Sequence, residues 1–284
     1  MKNFKLFIES NIILALASVL LCLVSSLQSG GDVQPGAYHI LIFFGVLLAY
    51  NVNQVFRLFA KSKTPDGSYT QWVRTHKIIF SPLIMVAVVG LIGSFIWINP
   101  EVQIALFFIS IVAVLYSWPV IPVGGKWYSL REIPYLKIFL ISIIWSVATV
   151  WLPVIQQGVL LTDSNTWLVF VERLIFLFAL AIMFDVRDIE SDKRKNLKTL
   201  PVLIGKQNSV LLSILLLLLF LSICMVHYIS FENLSWPALL ISGLSTMVFI
   251  VYLKNKSATY FHYRVFDCAL LIQPILVFLF YFLD

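Results

Sequence analysis

Three carboxylates with helical spacing are the most chemically suggestive feature of this chain. Asp185, Asp188 and Asp192 stand at i, i+3 and i+7 within F-D-V-R-D-I-E-S-D-K-R-K-N-L-K-T-L-P, residues 184–201. On a continuous helix such positions lie along one side. Like charges placed together repel, and ionisable groups are costly at the edge of a bilayer. A cation is the usual reason to tolerate them. Mg2+ takes one or two carboxylates, keeps some water and completes its octahedron with phosphate oxygens. Arg187, Lys198 and the basic run 193–195 beside the row suit an anionic phosphate group. The alternative is a solvated helix end whose mixed charges neutralise one another.

The elements that carry this row are set by composition. Of the 284 residues, 60% are hydrophobic and 12% charged, and the mean hydropathy is +0.94. A soluble domain carries roughly 25% charged residues. A soluble enzyme, a disulfide scaffold, a disordered chain and a coiled coil are therefore excluded. A spanning helix needs about 20 mostly apolar residues. Runs of that kind cover 9–28, 37–58, 77–98, 101–118, 135–155, 167–186, 208–230, 236–253 and 264–283. They are continuously apolar rather than alternating, which selects helices over the strands of a barrel. The expectation is an all-α integral membrane protein of nine transmembrane helices, forming a single domain over 1–284.

The basic residues give the orientation. With the N-terminus in the cytoplasm, 19 of the 20 Lys and Arg fall in cytoplasmic segments, and only Arg173 lies near the outer face. The opposite loops (29–36, 99–100, 156–166 and 231–235) carry none, as the positive-inside rule requires. The net charge of +6 thus reflects loops facing anionic lipid rather than nucleic-acid binding. Glu9 and the lack of a small-x-small cleavage site favour a retained first helix over a signal peptide. This orientation suits a bacterial inner membrane or an organelle membrane, and the short tails favour the bacterial one. Three cytoplasmic loops, about 57–77, 117–135 and 187–207, offer room for a site. The second holds Pro119, Pro122, Gly124, Gly125 and Pro134 and must be non-helical at its centre.

The stretch D-V-R-D-I-E-S-D with K-T-L-P following it resembles the second aspartate-rich motif of the UbiA superfamily of membrane prenyltransferases. The segment Y-S-W-P at 116–119, followed by L-R-E-I-P-Y-L-K at 130–137 leading into a span, also resembles that family. The likeness extends over most of the chain. It implies one bundle of nine helices around a central cavity capped by cytoplasmic loops. It also implies isoprenyl transfer from an isoprenyl diphosphate to a lipophilic, often aromatic, acceptor, with Mg2+ on the diphosphate. Carried over residue by residue, Asp188 and Asp192 become the metal ligands. Asp185 becomes an auxiliary ligand or acceptor and Lys198 a diphosphate contact, with Arg187 beside it. Tyr116, Arg131 and Lys137 fall where they can line the cavity mouth.

One departure stands out. The family's first motif, N-x-x-x-D-x-x-x-D, matches N-Q-V-F-R-L-F-A-K at 53–61, so Asn53 is kept but Arg57 and Lys61 replace the two aspartates. Neither side chain can bind Mg2+ at neutral pH, so one ion rather than two is expected. In one reading Asn53, Arg57 and Lys61 form an i, i+4, i+8 stripe that contacts the diphosphate directly. In the other, Arg57 and Lys61 snorkel at the membrane surface, and the chain is a non-catalytic relative that binds a polyprenyl or anionic lipid or scaffolds other membrane enzymes. A secondary transporter is disfavoured by the odd span count and by ionisable residues gathered at one face.

Other signals read as structural. His39, His76, His227 and His262 are scattered and are expected at interfaces or in loops. Glu172 and Arg173 are adjacent, so they do not face one another on a helix. Cys22, Cys224 and Cys268 are far apart without C-x-x-C spacing, so neither a disulfide nor a zinc site is expected.

Overall fold

Continuous apolar runs in a medium that cannot hydrogen-bond the backbone must close their hydrogen bonds within themselves, and helices do so. The computed structural model of the chain describes residues 10–31, 33–59, 77–124, 126–133, 135–159, 162–194, 197–231, 235–254 and 260–283; within these, side chains 53–59, 77–81, 117, 123, 126, 131, 254 and 260–268 are outside the description. Nine long helices occur among the described residues: α1 Ile12–Gln28, α2 Ala37–Phe59, α3 Lys77–Phe95, α4 Pro100–Ser117, α5 Leu136–Gln156, α6 Ser164–Arg194, α7 Leu200–Phe231, α8 Trp236–Lys254 and α9 Tyr260–Leu283. Four of them, α5 to α8, are long and apolar enough to cross a membrane; α1 to α4 and α9 contribute shorter apolar stretches. The nine expected runs each coincide with one helix.

The chain divides into two compact units, residues 1–19 with 34–99 and residues 20–33 with 100–284. In the first, α2 packs on α3. Ala15, Leu47 and Ala87 form its core, and Gly90 lets the Phe44 ring lie where a Cβ would stand. Asn51, fully buried, donates to the Ser10 carbonyl at 2.9 Å and accepts from Asn11 at 3.1 Å, so it fastens the start of α1 to α2.

In the second unit α6 is the central helix, packed on α5, α7 and α9. Asp163 caps its start and accepts at 2.8 Å from both the N–H and the Oγ1 of Thr166. Desolvation works upward on this carboxyl, but the hydrogen bonds from Thr166 and Asn165 hold it below the usual range. The helix α5 is regular over Leu136–Ser146, widens to a π-turn over Val147–Trp151 and resumes at Leu152. Pro153 accounts for the bulge, because it has no N–H and its ring crowds the carbonyl four residues back.

One expectation is revised. The segment 187–207 is mostly helical: α6 runs on to Arg194 and α7 starts at Leu200, with a break at Gly205 (φ 83°, ψ 162°), a backbone region essentially reserved for glycine. The segment 117–135 is non-helical at its centre, as its prolines and glycines require. It holds a small hairpin, β1 Ile121–Val123 paired antiparallel with β2 Lys126–Tyr128 in the register Pro122↔Trp127, then a single turn at Leu130–Glu132. Gly124 turns the hairpin at φ 56°.

Candidate functional site

Because α6 does not stop at residue 186, all three aspartates of the row are helical. Their directions differ, however. At about 100° per residue, a seven-residue step returns to within about 20° of its start, whereas a three-residue step lands about 60° away. Asp185 and Asp192 are accordingly both buried against α5, while Asp188 is turned outward with its side chain 38% exposed. The expected single file of three is therefore a pair plus one.

The pair faces Lys137, in the first turn of α5. Its Nζ lies 2.5 Å from Asp185 Oδ1 and 3.8 Å from Asp192 Oδ2. The Tyr116 phenol at the end of α4 is within electrostatic reach of the same ammonium. Asp185 Oδ2 and Thr199 Oγ1 are buried and have no hydrogen-bond partner among the described residues. Asp188 is held differently: Arg187 donates to it through Nε at 3.0 Å and through the terminal nitrogen Nη2 at 3.1 Å. The same guanidinium lies 5.6 Å from the Phe184 ring centre.

The structure thus brings together Tyr116, Lys137, Asp185 and Asp192, with Asp188 and Arg187 one turn away. Lys198 is exposed in the connection from α6 to α7. The side chains of Asn53 and Arg57 (on the last turns of α2), that of Arg131 (in the single turn before α5) and all of Lys61 lie outside the described residues.

Among the described residues, Asp185, Asp188 and Asp192 are met by the two cations Lys137 and Arg187. Among the described residues no three His, Cys, Asp or Glu side chains converge as a metal site made by protein alone. The donor set suits instead an ion that takes one or two carboxylates and finds its other ligands on a bound phosphate and water. The exposed Asp188 can offer such a ligand once Arg187 moves aside.

A second polar cluster, toward the other end of α6, was not foreseen. His227, read above as an interfacial or loop residue, is fully buried in α7. Its Nδ1 is 2.8 Å from Glu172 Oε1, and its Nε2 is 2.5 Å from Asn165 Oδ1. Asn165 Nδ2 donates to the Gln28 carbonyl at 2.9 Å, which sets the amide orientation and leaves Oδ1 facing the imidazole. The Nε2 atom must then carry hydrogen. Arg173 points elsewhere, donating to Gln273 at 2.8 Å and to Ser25 at 3.3 Å. Glu172 and Arg173 indeed do not face each other. No local spacing announces these contacts, since the His227 partner lies 55 residues away.

Residues 73–261 match the UbiA prenyltransferase family, well over half of the chain. The chain belongs to that family of membrane proteins. Among solved structures it is similar to a UbiA homologue from Archaeoglobus fulgidus, at 14% identity and a TM-score of 0.64, with 97% of this chain and 98% of that one covered. The same homologue bound to GPP and Mg2+ gives a TM-score of 0.65 at 14% identity, over 96% and 98% of the chains. A structure from work on digeranylgeranylglyceryl phosphate synthase in membranes gives 0.57 at 15% identity, over 98% of each. Identities this low establish the shared fold alone. No curated protein matches the sequence.

Proposed function

We propose that this protein is an intramembrane prenyltransferase that moves an isoprenyl group from its diphosphate to a lipophilic acceptor. The observation that carries the reading is the aspartate row of α6, in a member of the UbiA family, with Asp188 exposed and two cations among the carboxylates. The Archaeoglobus homologue was solved with GPP or DMAPP and Mg2+, which supports a prenyl diphosphate donor and a divalent ion here. A bound Mg2+ would neutralise charge that builds on the departing diphosphate. Asp188 would hold that ion, with Asp192 the second candidate ligand and Asp185 an auxiliary acceptor. Arg187, freed from Asp188, and Lys198 would meet diphosphate oxygens, Arg through two parallel hydrogen bonds. Asn53, Arg57 and Lys61 would add contacts where the family has its first metal motif. The expected single bundle around a central cavity, the cytoplasmic N-terminus and the bacterial inner-membrane location belong to this proposal.

A second reading rests on Arg57 and Lys61. With positive charge in place of the first two aspartates, the chain would be a non-catalytic relative that binds a polyprenyl or anionic lipid or scaffolds other membrane enzymes.

Thermal stability of the detergent-purified protein with geranyl diphosphate, with and without Mg2+, separates the two. Ligand at 100 times its Kd stabilises by about 2.7 kcal/mol. Prenyl transfer predicts a Mg2+-dependent shift that Asp188→Asn abolishes. A Mg2+-independent shift lost in Arg57→Glu/Lys61→Glu favours direct capture by those residues, and no shift in folded protein favours the non-catalytic reading.

A further inference from the structure

We infer that the hairpin between α4 and α5 is a membrane-surface anchor: its Pro122–Trp127 face lies in the lipid headgroup layer, on the side of the membrane that carries the aspartate row. The inference goes beyond the prenyltransferase reading and holds equally for a non-catalytic relative.

Both ends of the segment are tied to apolar helices. The chain leaves α4 at Ser117 and enters α5 at Leu136, and the start of α5 lies against the aspartate row through Lys137 and Asp185. The turn Leu130–Glu132 packs on α4 and α5, whereas among the described residues the two strands pack chiefly on each other. With three residues in each strand at about 3.3 Å per residue, the hairpin reaches only about 10 Å from its base. It stays near the membrane surface.

Its residues then set the depth from two sides. Pro122 and Trp127 stand opposite each other in the ladder, so they share one face of the ribbon. Both are exposed, Trp127 at 63%, and Trp118 (47%) and Tyr135 (49%) flank them in the chain. A two-stranded hairpin is marginal in water by itself, and an uncovered indole adds apolar surface without support. Hydrocarbon is excluded as well, because the outer edge of each strand has unpaired N–H and C=O groups that need polar partners. The headgroup layer meets both demands, and the amphipathic rings of Trp and Tyr collect there. Charge agrees: residues 118–135 include Lys126 and Arg131 but one acid, Glu132, which accepts from Ser129 Oγ at 3.2 Å. Cations beside an apolar face fit headgroup phosphates. Tyr116 and Lys137 stand at the two ends of this segment, so an anchored hairpin holds them at the depth of lipid phosphates.

Nitroxide power saturation measures this depth on the full chain, reconstituted in vesicles of phosphatidylcholine and phosphatidylglycerol in equal parts. Cys22 and Cys224 are buried, so a Cys268→Ala background leaves one labelling site in each variant. Labels enter through Trp127→Cys and, on the same face, through Pro122→Cys, which keeps the test decisive if Trp127→Cys does not fold. Glu190→Cys, at an exposed position near the end of α6, reports water. Leu215→Cys, exposed midway along apolar α7, reports hydrocarbon. On the hairpin the ratio of collisions with O2 to collisions with Ni-EDDA should fall between the two controls, several-fold above that of Glu190→Cys. A ratio equal to that of Glu190→Cys overturns the inference by placing the face in water. A ratio equal to that of Leu215→Cys overturns it by placing the face in hydrocarbon. Protection from both reagents overturns it too, because the face is then covered by protein, whether a second copy or another segment of this chain.

Discussion

Replacing His227 by leucine removes the centre of the buried cluster on α6 and α7 and leaves side-chain volume roughly unchanged. The imidazole is fully buried, and its two nitrogens serve Glu172 and Asn165. Its loss takes the imidazole partner from both Glu172 Oε1 and Asn165 Oδ1, and each buried group left unpaired costs about 1–3 kcal/mol. His227→Leu should therefore destabilise by about 2–6 kcal/mol. Glu172→Leu strands one group, the Nδ1 side of the imidazole, for about 1–3 kcal/mol. In the double variant only Asn165 Oδ1 loses its partner, so the cost is again about 1–3 kcal/mol, because removing both members of a buried polar pair spares the penalty of the survivor. The double variant should thus be more stable than His227→Leu. Equilibrium unfolding in mixed micelles, followed by the fluorescence of the 8 tryptophans, measures all three. Additive costs, or a double variant worse than either single one, would refute the hydrogen-bond assignment (such sites would be behaving as independent packing positions).

Asp163→Ala should cost about 1 kcal/mol through the lost cap of α6. Because the folded carboxyl lies below its unfolded value, its contribution is present above the unfolded pKa of about 3.9 and fades as pH falls through the lower, folded value; an acid titration of stability in wild type and Asp163→Asn checks this. Gly205→Ala should destabilise by about 1–3 kcal/mol through backbone strain alone, as open space surrounds the site for a new Cβ, and thermal midpoints would show it. Trp151→Ala should cost about 3–5 kcal/mol, since the indole stacks on Phe170 at 4.0 Å and meets Trp167 edge-on at 4.8 Å; near-UV circular dichroism should lose intensity in parallel. Asp188→Asn should abolish the Mg2+-dependent part of any stabilisation by geranyl diphosphate while leaving the unliganded midpoint within about 0.5 kcal/mol, measured in the same thermal series.

The number and placement of the helices were legible in the residues, because span length and the need to close backbone hydrogen bonds in lipid are local demands. The aspartate row was legible for the same reason: i, i+3 and i+7 are properties of one helix. The extension of α6 through Arg194 was less so, since D-K-R-K-N reads as a polar loop until Asp185 and Asp192 find Lys137. What the sequence could not assign was partnership across helices. Arg187 and the basic run beside the row looked like its natural counter-charges, yet the buried pair is met by Lys137, brought there by the packing of α5 on α6. His227 looked like an isolated interfacial residue, and only the apposition of α6 and α7 turned it toward Glu172 and Asn165. Periodicity records which way a side chain points from its own axis. Which neighbour it meets depends on how two helices cross, and that is decided by packing along their whole lengths.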